Sequence, residues 1–340
     1  MASIPIYVGL DYHTKAVQVC VEDGSGQVLL NSRCPNWGPT IIGSVEGLGP
    51  AYEVAGCAIE VCCGAADLGE ELIREAGWSV DLAHPGYVSR MKQSPDKHDW
   101  GDARLLADLE RVGYVPRVWL APQEIRELRR LIRYRQYQVQ QRRDTKLKIG
   151  ALLRDHRISG RIESRPWTRP WLAWLKSVSL PAQSRWVMDH LMADLDRLGR
   201  DIRETEAHLK HVTTHDPMVA HLQTLSGVGP VTSWILRAEV GWFHRFRSGK
   251  QLSRFCGLSP RNVSSGERQA DAGLVKAGNT QLRSVLIESA HRLIRYDKRW
   301  SELALKMLRA GKPKSMVAAA VANRWVRWMF HQVKDTQRVA

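Results

Sequence analysis

A layered α/β domain followed by a basic, mostly helical second half is the architecture this sequence predicts. Three observations carry it. Short apolar strands alternate with turns and a helix over the first third, a long basic helix begins after Pro122, and the charge changes sign along the chain. Residues 1–100 hold 6 Lys/Arg against 13 Asp/Glu, residues 101–240 hold 24 against 16, and residues 241–340 hold 20 against 6. At 340 residues the chain has room for about two domains of roughly 100–200 residues each. An apolar content of 44% and a charged content of 25% exclude disorder as the main state. The net charge of +15 sits in the rear and points to a polyanionic partner there.

The strands come first. Residues 6–11 (IYVGLD) form an apolar run ending on an acid, residues 16–23 (AVQVCVED) alternate, and Gly24-Ser25-Gly26 turns the chain into QVLLNS. A loop is expected around Pro35, Gly38, Pro39 and Gly43. AGCAIEVC predicts a fourth strand, DLGEELIREAG a helix closed by Gly77, and WSVDLAHP a fifth strand. Three antiparallel strands followed by βαβ is also the order of an RNase H-like fold.

Residues 123–155 read as one basic helix without proline, and residues 161–183, rich in Pro and Trp, as a connecting segment. Met188, Leu191, Leu195, Leu198, Ile202, Thr205 and Leu209 then repeat at steps of three and four, a heptad seam for a hairpin or a dimer coil. Residues 222–241 predict helix, tight turn at Gly227-Val228-Gly229, helix; backbone N–H groups of such a turn can meet phosphates. Residues 249–279 are loop-rich, and residues 280–297 and 313–333 are helical, with Pro313 at a first turn. The expected domains are therefore 1–122, 123–215 and 216–335. Most of the thirteen Trp residues are assigned to cores and helix contacts.

No segment reaches the ~18 apolar residues of a spanning helix. The start, MASIPIYVGLD, lacks a basic region and meets Asp11 too early for a signal peptide. Six cysteines without CxxC pairing read as reduced, mostly buried thiols of a cytoplasmic protein, and the spacing of Cys57, Cys62 and Cys63 fits no common zinc pattern.

Four acids hold element edges: Asp11 ends strand one, Glu60 ends strand four, and Asp99 and Asp102 stand three apart at a predicted helix start. Two carboxylates ~4 Å apart repel by about 4 kcal/mol at an effective dielectric of 20. Clustering them calls for protons or a cation, and all-oxygen ligands suit Mg²⁺ or Mn²⁺. A second signal is Ser264-Ser265-Gly266, flanked by Arg261, Arg268, Lys276, Asn279 and Arg283. Glycine lets a nucleic-acid backbone approach, and the cations suit a phosphoryl transition state. Arg129 and Arg133 on the basic helix are further candidates for nucleic-acid binding.

Together these residues resemble the DEDD-type insertion-sequence transposases, relatives of the Piv DNA invertase that include bridge-RNA-guided recombinases. Asp11, Glu60, Asp99 and Asp102 match the acid set. LSGVGPVTSWILRAEVG, RFRSGKQLSRFCGLSP, SSG and KAGNTQLR match the C-terminal motifs in order. The chain departs from the pattern at Val61-Cys62-Cys63-Gly64, where the family has Ala-Thr-Gly after the Glu, and at His98, where it has Thr before the Asp. The resemblance implies a RuvC-like first domain, a coiled-coil linker and a mostly α transposase domain with a helix-hairpin-helix-like turn. It implies Mg²⁺ at the four acids and Ser265 as nucleophile, with Ser264 its neighbour. It also implies donor and target DNA as partners, a structured guide RNA, and a dimer that becomes a tetramer when DNA is engaged. The rival readings are a metal-dependent nuclease without serine chemistry and a non-catalytic nucleic-acid binder.

Overall fold

The computed structural model describes residues 3–92, 98–158, 165–262, 271–275 and 278–337. The chain divides into two compact units, residues 1–122 and 123–340.

The first unit is a six-stranded mixed sheet covered on both faces. Its elements are β1 (Ile4–Tyr12), β2 (Ala16–Asp23), β3 (Val28–Pro35), α1 (Gly38–Glu46), β4 (Tyr52–Glu60), α2 (Ala65–Ala76), β5 (Val80–Ala83), α3 (Pro85–Met91), α4 (Asp99–Arg111) and β6 (Arg117–Val118). The order is β3-β2-β1-β4-β5-β6, with β1, β4 and β5 parallel and the other pairs antiparallel. Period-2 alternation divides β1 between the faces. Ile6, Val8 and Leu10 join Ile41, Val45, Leu68 and Leu72 of α1 and α2 in the larger core, while Gly9 faces α4.

Residues 38–46 depart from the expected loop. They form α1, with Pro39 in its first turn, where the missing N–H costs nothing, and with Ile41, Ile42 and Val45 buried. Gly77 closes α2 in the left-handed region, as its position suggests.

The second unit contains α5 (Gln123–Asp155), α6 (Arg169–Ser177), α7 (Ala182–Val212), α8 (Pro217–Thr224), α9 (Pro230–Val240), α10 (Gly249–Phe255), β7 (Pro260–Asn262), β8 (Asp271–Leu274), α11 (Thr280–Tyr296), α12 (Lys298–Arg309) and α13 (Lys314–Gln337). The expected connecting segment contains α6, whose Trp171 and Leu175 are buried. On α7 the buried seam runs Met188, Met192, Leu195, Leu198, Ile202, Thr205, Leu209, so Met192 takes the place expected for Leu191. Within the chain α5 answers that seam. Thr205 Oγ1 donates to Gln138 Oε1 at 3.0 Å in the buried interface, and Arg135 Nε donates to Glu206 Oε1 at 2.8 Å.

Helix α5 belongs to two cores. Leu128 and Ile132 near its start pack with α9, α11 and α13, while Ile149 and Leu153 near its end pack with Trp171, Leu175, Met188 and Met192. Among the described residues no helix is long and apolar enough to cross a membrane.

A candidate metal centre and the root of the serine loop

Gly9 determines how close α4 comes to the sheet. A Cβ at this position would lie 2.0 Å from the Ala103 carbonyl oxygen and 2.4 Å from the Ala107 nitrogen. With no side chain there, α4 settles directly on β1, and small Ala103 and Ala107 complete the contact. The first turn of α4 carries Asp99 and Asp102, where the positive end of the helix dipole favours acids. Asp11 lies two residues beyond Gly9 and so shares its face.

Three ligating groups converge there. His13 Nε2 is 3.2 Å from Asp11 Oδ2 and 3.2 Å from Asp99 Oδ1. One donor atom from each of Asp11, His13 and Asp99 lies within 4.8 Å of the others. Asp11 Oδ2 and His13 Nε2 are both buried atoms, and among the described residues they lack a well-formed hydrogen bond beyond their own 3.2 Å approach. Burial raises the Asp11 carboxyl above its ordinary range. Nearby His13 opposes the shift, and the Asp102 and Asp99 charges add to it. The His13 backbone is fixed by the β1–β2 turn: its N–H donates to the Ala16 carbonyl at 3.0 Å and its own carbonyl accepts from Asn36 Nδ2 at 3.0 Å.

The expected four acids are thus distributed unequally. Asp11 and Asp99 meet directly, and Asp102 is close enough to act on Asp11 but is paired with Lys92 at 2.7 Å. Glu60 follows Ile59, the register partner of Leu10, so it ends β4 beside the end of β1, outside the Asp11–His13–Asp99 group. His13 was missed from sequence; the alternation Gly9, Asp11, His13 is the signal that places it on the α4 face. Gly101 does not break α4, which runs through it from Asp99. His98 stands at the N-cap position without a side-chain capping bond. Cys20, Cys34, Cys57 and Cys256 are buried and Cys62 and Cys63 exposed, in keeping with mostly buried thiols.

Ser264, Ser265, Arg268 and Lys276 lie outside the described residues. The root of their loop does not. Gly257 and Gly278 meet back to back: a Cβ on Gly278 would lie 2.3 Å from the Gly257 Cα. Asn279 N–H donates to the Phe255 carbonyl at 3.1 Å, Val275 N–H to Ser259 at 3.0 Å, and β7 pairs antiparallel with β8. Arg283 Nη1 donates to the Val275 carbonyl at 3.1 Å, while Arg261 is exposed.

Other candidates serve the internal structure. Arg129 Nε donates to the Ala238 carbonyl at 2.6 Å and Arg245 Nε to Val240 at 2.8 Å, so two guanidiniums cap the negative end of α9. Burial lowers both, Arg245 to about 10. Arg133 grips buried Glu239 with two bonds of 3.2 and 3.3 Å, and Asn279 Nδ2 donates to the same carboxylate at 2.9 Å. Gly227 and Gly229 occupy the turn between α8 and α9, Gly229 as the N-cap of α9.

Comparison with known proteins gives a consistent picture. Residues 219–305 match a profile described as the transposase IS116/IS110/IS902 family, and residues 8–158 match a DEDD-type IS110 transposase profile. The chain is 28% identical over 338 residues to the transposase for insertion sequence element IS1111A of Coxiella burnetii, covering 97% of this chain and 91% of that protein. It is 27% identical over 280 residues to a "Probable family 20 transposase" of Pseudomonas aeruginosa, covering 79% and 81%.

Proposed function

This chain belongs to the IS110/IS116 family of insertion-sequence transposases, and from that premise we propose that it cuts and rejoins DNA through a divalent-ion centre and a serine nucleophile. The observation that carries the reading is the meeting of Asp11, His13 and Asp99 within 4.8 Å beneath the first turn of α4. The strand order supports a RuvC-like first domain, with β1 central and β4 beside it in parallel.

The donor set fits a hard divalent ion, since two carboxylates converge and Asp11 meets no Lys or Arg among the described residues, only the His13 imidazole at 3.2 Å. Asp11, His13 and Asp99 would hold it, with Glu60 and Asp102 at its edge. The ion would supply positive charge to the phosphate oxygens during transfer. Carboxylates suit Mg²⁺, and the imidazole widens the choice toward first-row ions such as Mn²⁺.

The chain's own residues then divide the work. The Ser265 hydroxyl forms a bond to the scissile phosphorus, and the bond from phosphorus to one deoxyribose oxygen breaks. The serine gives up its proton, and the departing oxygen takes one up, leaving a DNA hydroxyl and a serine phosphodiester. A hydroxyl of the second strand reverses the step on that diester, so no phosphodiester is lost to water. Arg261, Arg268 and Lys276 flank the nucleophile in sequence and suit the phosphate charge. A structured guide RNA that pairs with donor and target, and an oligomer that brings serine and acids together, complete the proposal.

The test uses a strand-exchange assay with the element's own ends and its flanking non-coding RNA. Ser265→Ala abolishes the detergent-resistant protein–DNA product while Ser264→Ala retains it, and both bind DNA normally. Unchanged recombination by Ser265→Ala rejects the serine mechanism. Cleavage that leaves free ends with no attached protein favours a nuclease.

A further inference from the structure

The second unit holds a cavity of about 450 Å³ among α5, α6 and α7. Arg142 and Lys146 reach it from α5, Arg200 and Arg203 from α7, and Trp167 from the turn preceding α6. Asp196 is the one acid among its described lining residues. Among the described residues none of these four cations has an ion-pair partner, although Arg135 and Arg197 on the same two helices pair with Glu206, Asp194 and Asp201. Burial, with the neighbouring Arg142 charge adding to it, holds the Lys146 ammonium below its ordinary range.

The indole is the second, independent feature. Trp167 has φ +70°, a left-handed conformation that is an outlier for a bulky residue. That backbone sets its ring 4.5 Å from buried Trp171, centroid to centroid, and brings Lys146 Nζ over it at 4.9 Å. The ring is therefore anchored on a packed core and half-buried, with the ammonium as its cover. Strain at a half-buried aromatic residue, beside cations that have no ion-pair partner among the described residues, is hard to account for by packing alone.

We propose that this cavity receives one unpaired nucleotide of a single nucleic-acid strand, its base stacking on Trp167 and its flanking phosphates held by Arg142, Lys146, Arg200 and Arg203. A cavity of this volume lies in the range of small-molecule sites and suits a base with its sugar. Stacking a base on an indole outweighs the single cation–π contact it replaces, and the displaced Lys146 gains a phosphate. A duplex cannot enter, because its bases face one another inside the stack. Asp196 supplies an acceptor for a base amino group or a sugar hydroxyl. RNA and DNA single strands share this chemistry, and the 2′-hydroxyl separates them.

The test measures binding of the full-length protein to a short labelled single-stranded RNA, the same sequence as DNA, and the matching duplex. Trp167→Ala weakens single-strand binding by about 10-fold, as loss of one stacked base does. Trp167→Phe restores most of it, and duplex binding does not change. The double variant Arg200→Ala/Arg203→Ala lowers the salt slope for the single strand by about 1.4, or ~0.7 for each phosphate no longer neutralised. RNA binding tighter than DNA, with the gap closed by Asp196→Ala, which removes the acceptor, identifies a ribose strand as the source; equal affinities identify DNA, and either result supports the pocket. Single-strand affinity unchanged in both Trp167→Ala and the double Arg variant overturns it. So does an equal loss for duplex and single strand. Circular dichroism confirms that each variant is folded. The readout is strand binding and not strand exchange, so its failure leaves the strand-exchange reading standing.

Discussion

Two carboxylates withdrawn from water, half-buried Asp11 in the first unit and fully buried Glu239 in the second, have opposite surroundings. Glu239 receives two bonds from Arg133 and one from Asn279, so every oxygen has a donor. Asp11 has two other acids acting on it and, among the described residues, only one imidazole at 3.2 Å to meet its buried oxygen. Burying a charge is costly in both places. At Glu239 the cost is offset within the fold, which makes the residue a fastener between α5, α9 and α11. At Asp11 it is left open, which makes the residue a place for something to bind. The cations divide in the same way: Arg129 and Arg133 are occupied on α9, while Arg142, Arg200 and Arg203 line a cavity with no ion-pair partner among the described residues.

Glu239→Ala gives the largest expected change in stability. It removes three hydrogen bonds, strands the Asn279 amide, and takes the counter-charge from half-buried Arg129, for a loss of about 3 kcal/mol in chemical denaturation. A loss below about 0.5 kcal/mol would erase the contrast between the two acids. Gly9→Ala comes next. Its Cβ cannot sit 2.0 Å from the Ala103 oxygen, so α4 must move away, at a cost of about 2 kcal/mol. Because α4 carries Asp99, the same variant weakens divalent-ion binding, measured by calorimetry. A stable Gly9→Ala protein with unaltered ion affinity would show that the close helix approach does not build the centre.

Asp11→Asn gives the smallest change in stability and the most informative sign. The folded carboxyl titrates above its ordinary value of 3.8, so its contribution is complete below that pH and is lost as pH rises through the raised folded value. Above that window the metal-free variant is therefore at least as stable as the parent. Added Mn²⁺ then raises the melting temperature of the parent and not of the variant. A metal-free Asp11→Asn protein that melts well below the parent near neutral pH would place Asp11 with Glu239 as a fastener.

Much of this was legible in sequence because it depends on local period. Alternation exposed β1 to β3, steps of three and four exposed α7, and the absence of proline exposed α5. Helices α1 and α6 were hidden by their own Gly and Pro residues. Pro39 and Pro170 serve first turns there, and only burial of Ile41, Val45, Trp171 and Leu175 tips the balance to helix. The acids at strand ends were visible, but their partners were not. Lys92 neutralises Asp102, and Arg133 finds Glu239 106 positions away; a charge pattern along the chain carries no record of such pairings. His13 escaped for a similar reason, since a lone histidine at a strand end gains meaning only when α4 lands beside it.

The two-core membership of α5 has a mechanical consequence. Its 33 residues make a rod of about 50 Å, at ~1.5 Å per residue. One end is bolted into the α9–α11–α13 core and the other carries the tryptophan cluster. A tilt of about 5° at the bolted end would sweep the distant end through about 4 Å, by the length of the rod. Whatever grips one extremity of this lever is felt at the other as displacement, with no intervening loop to absorb it.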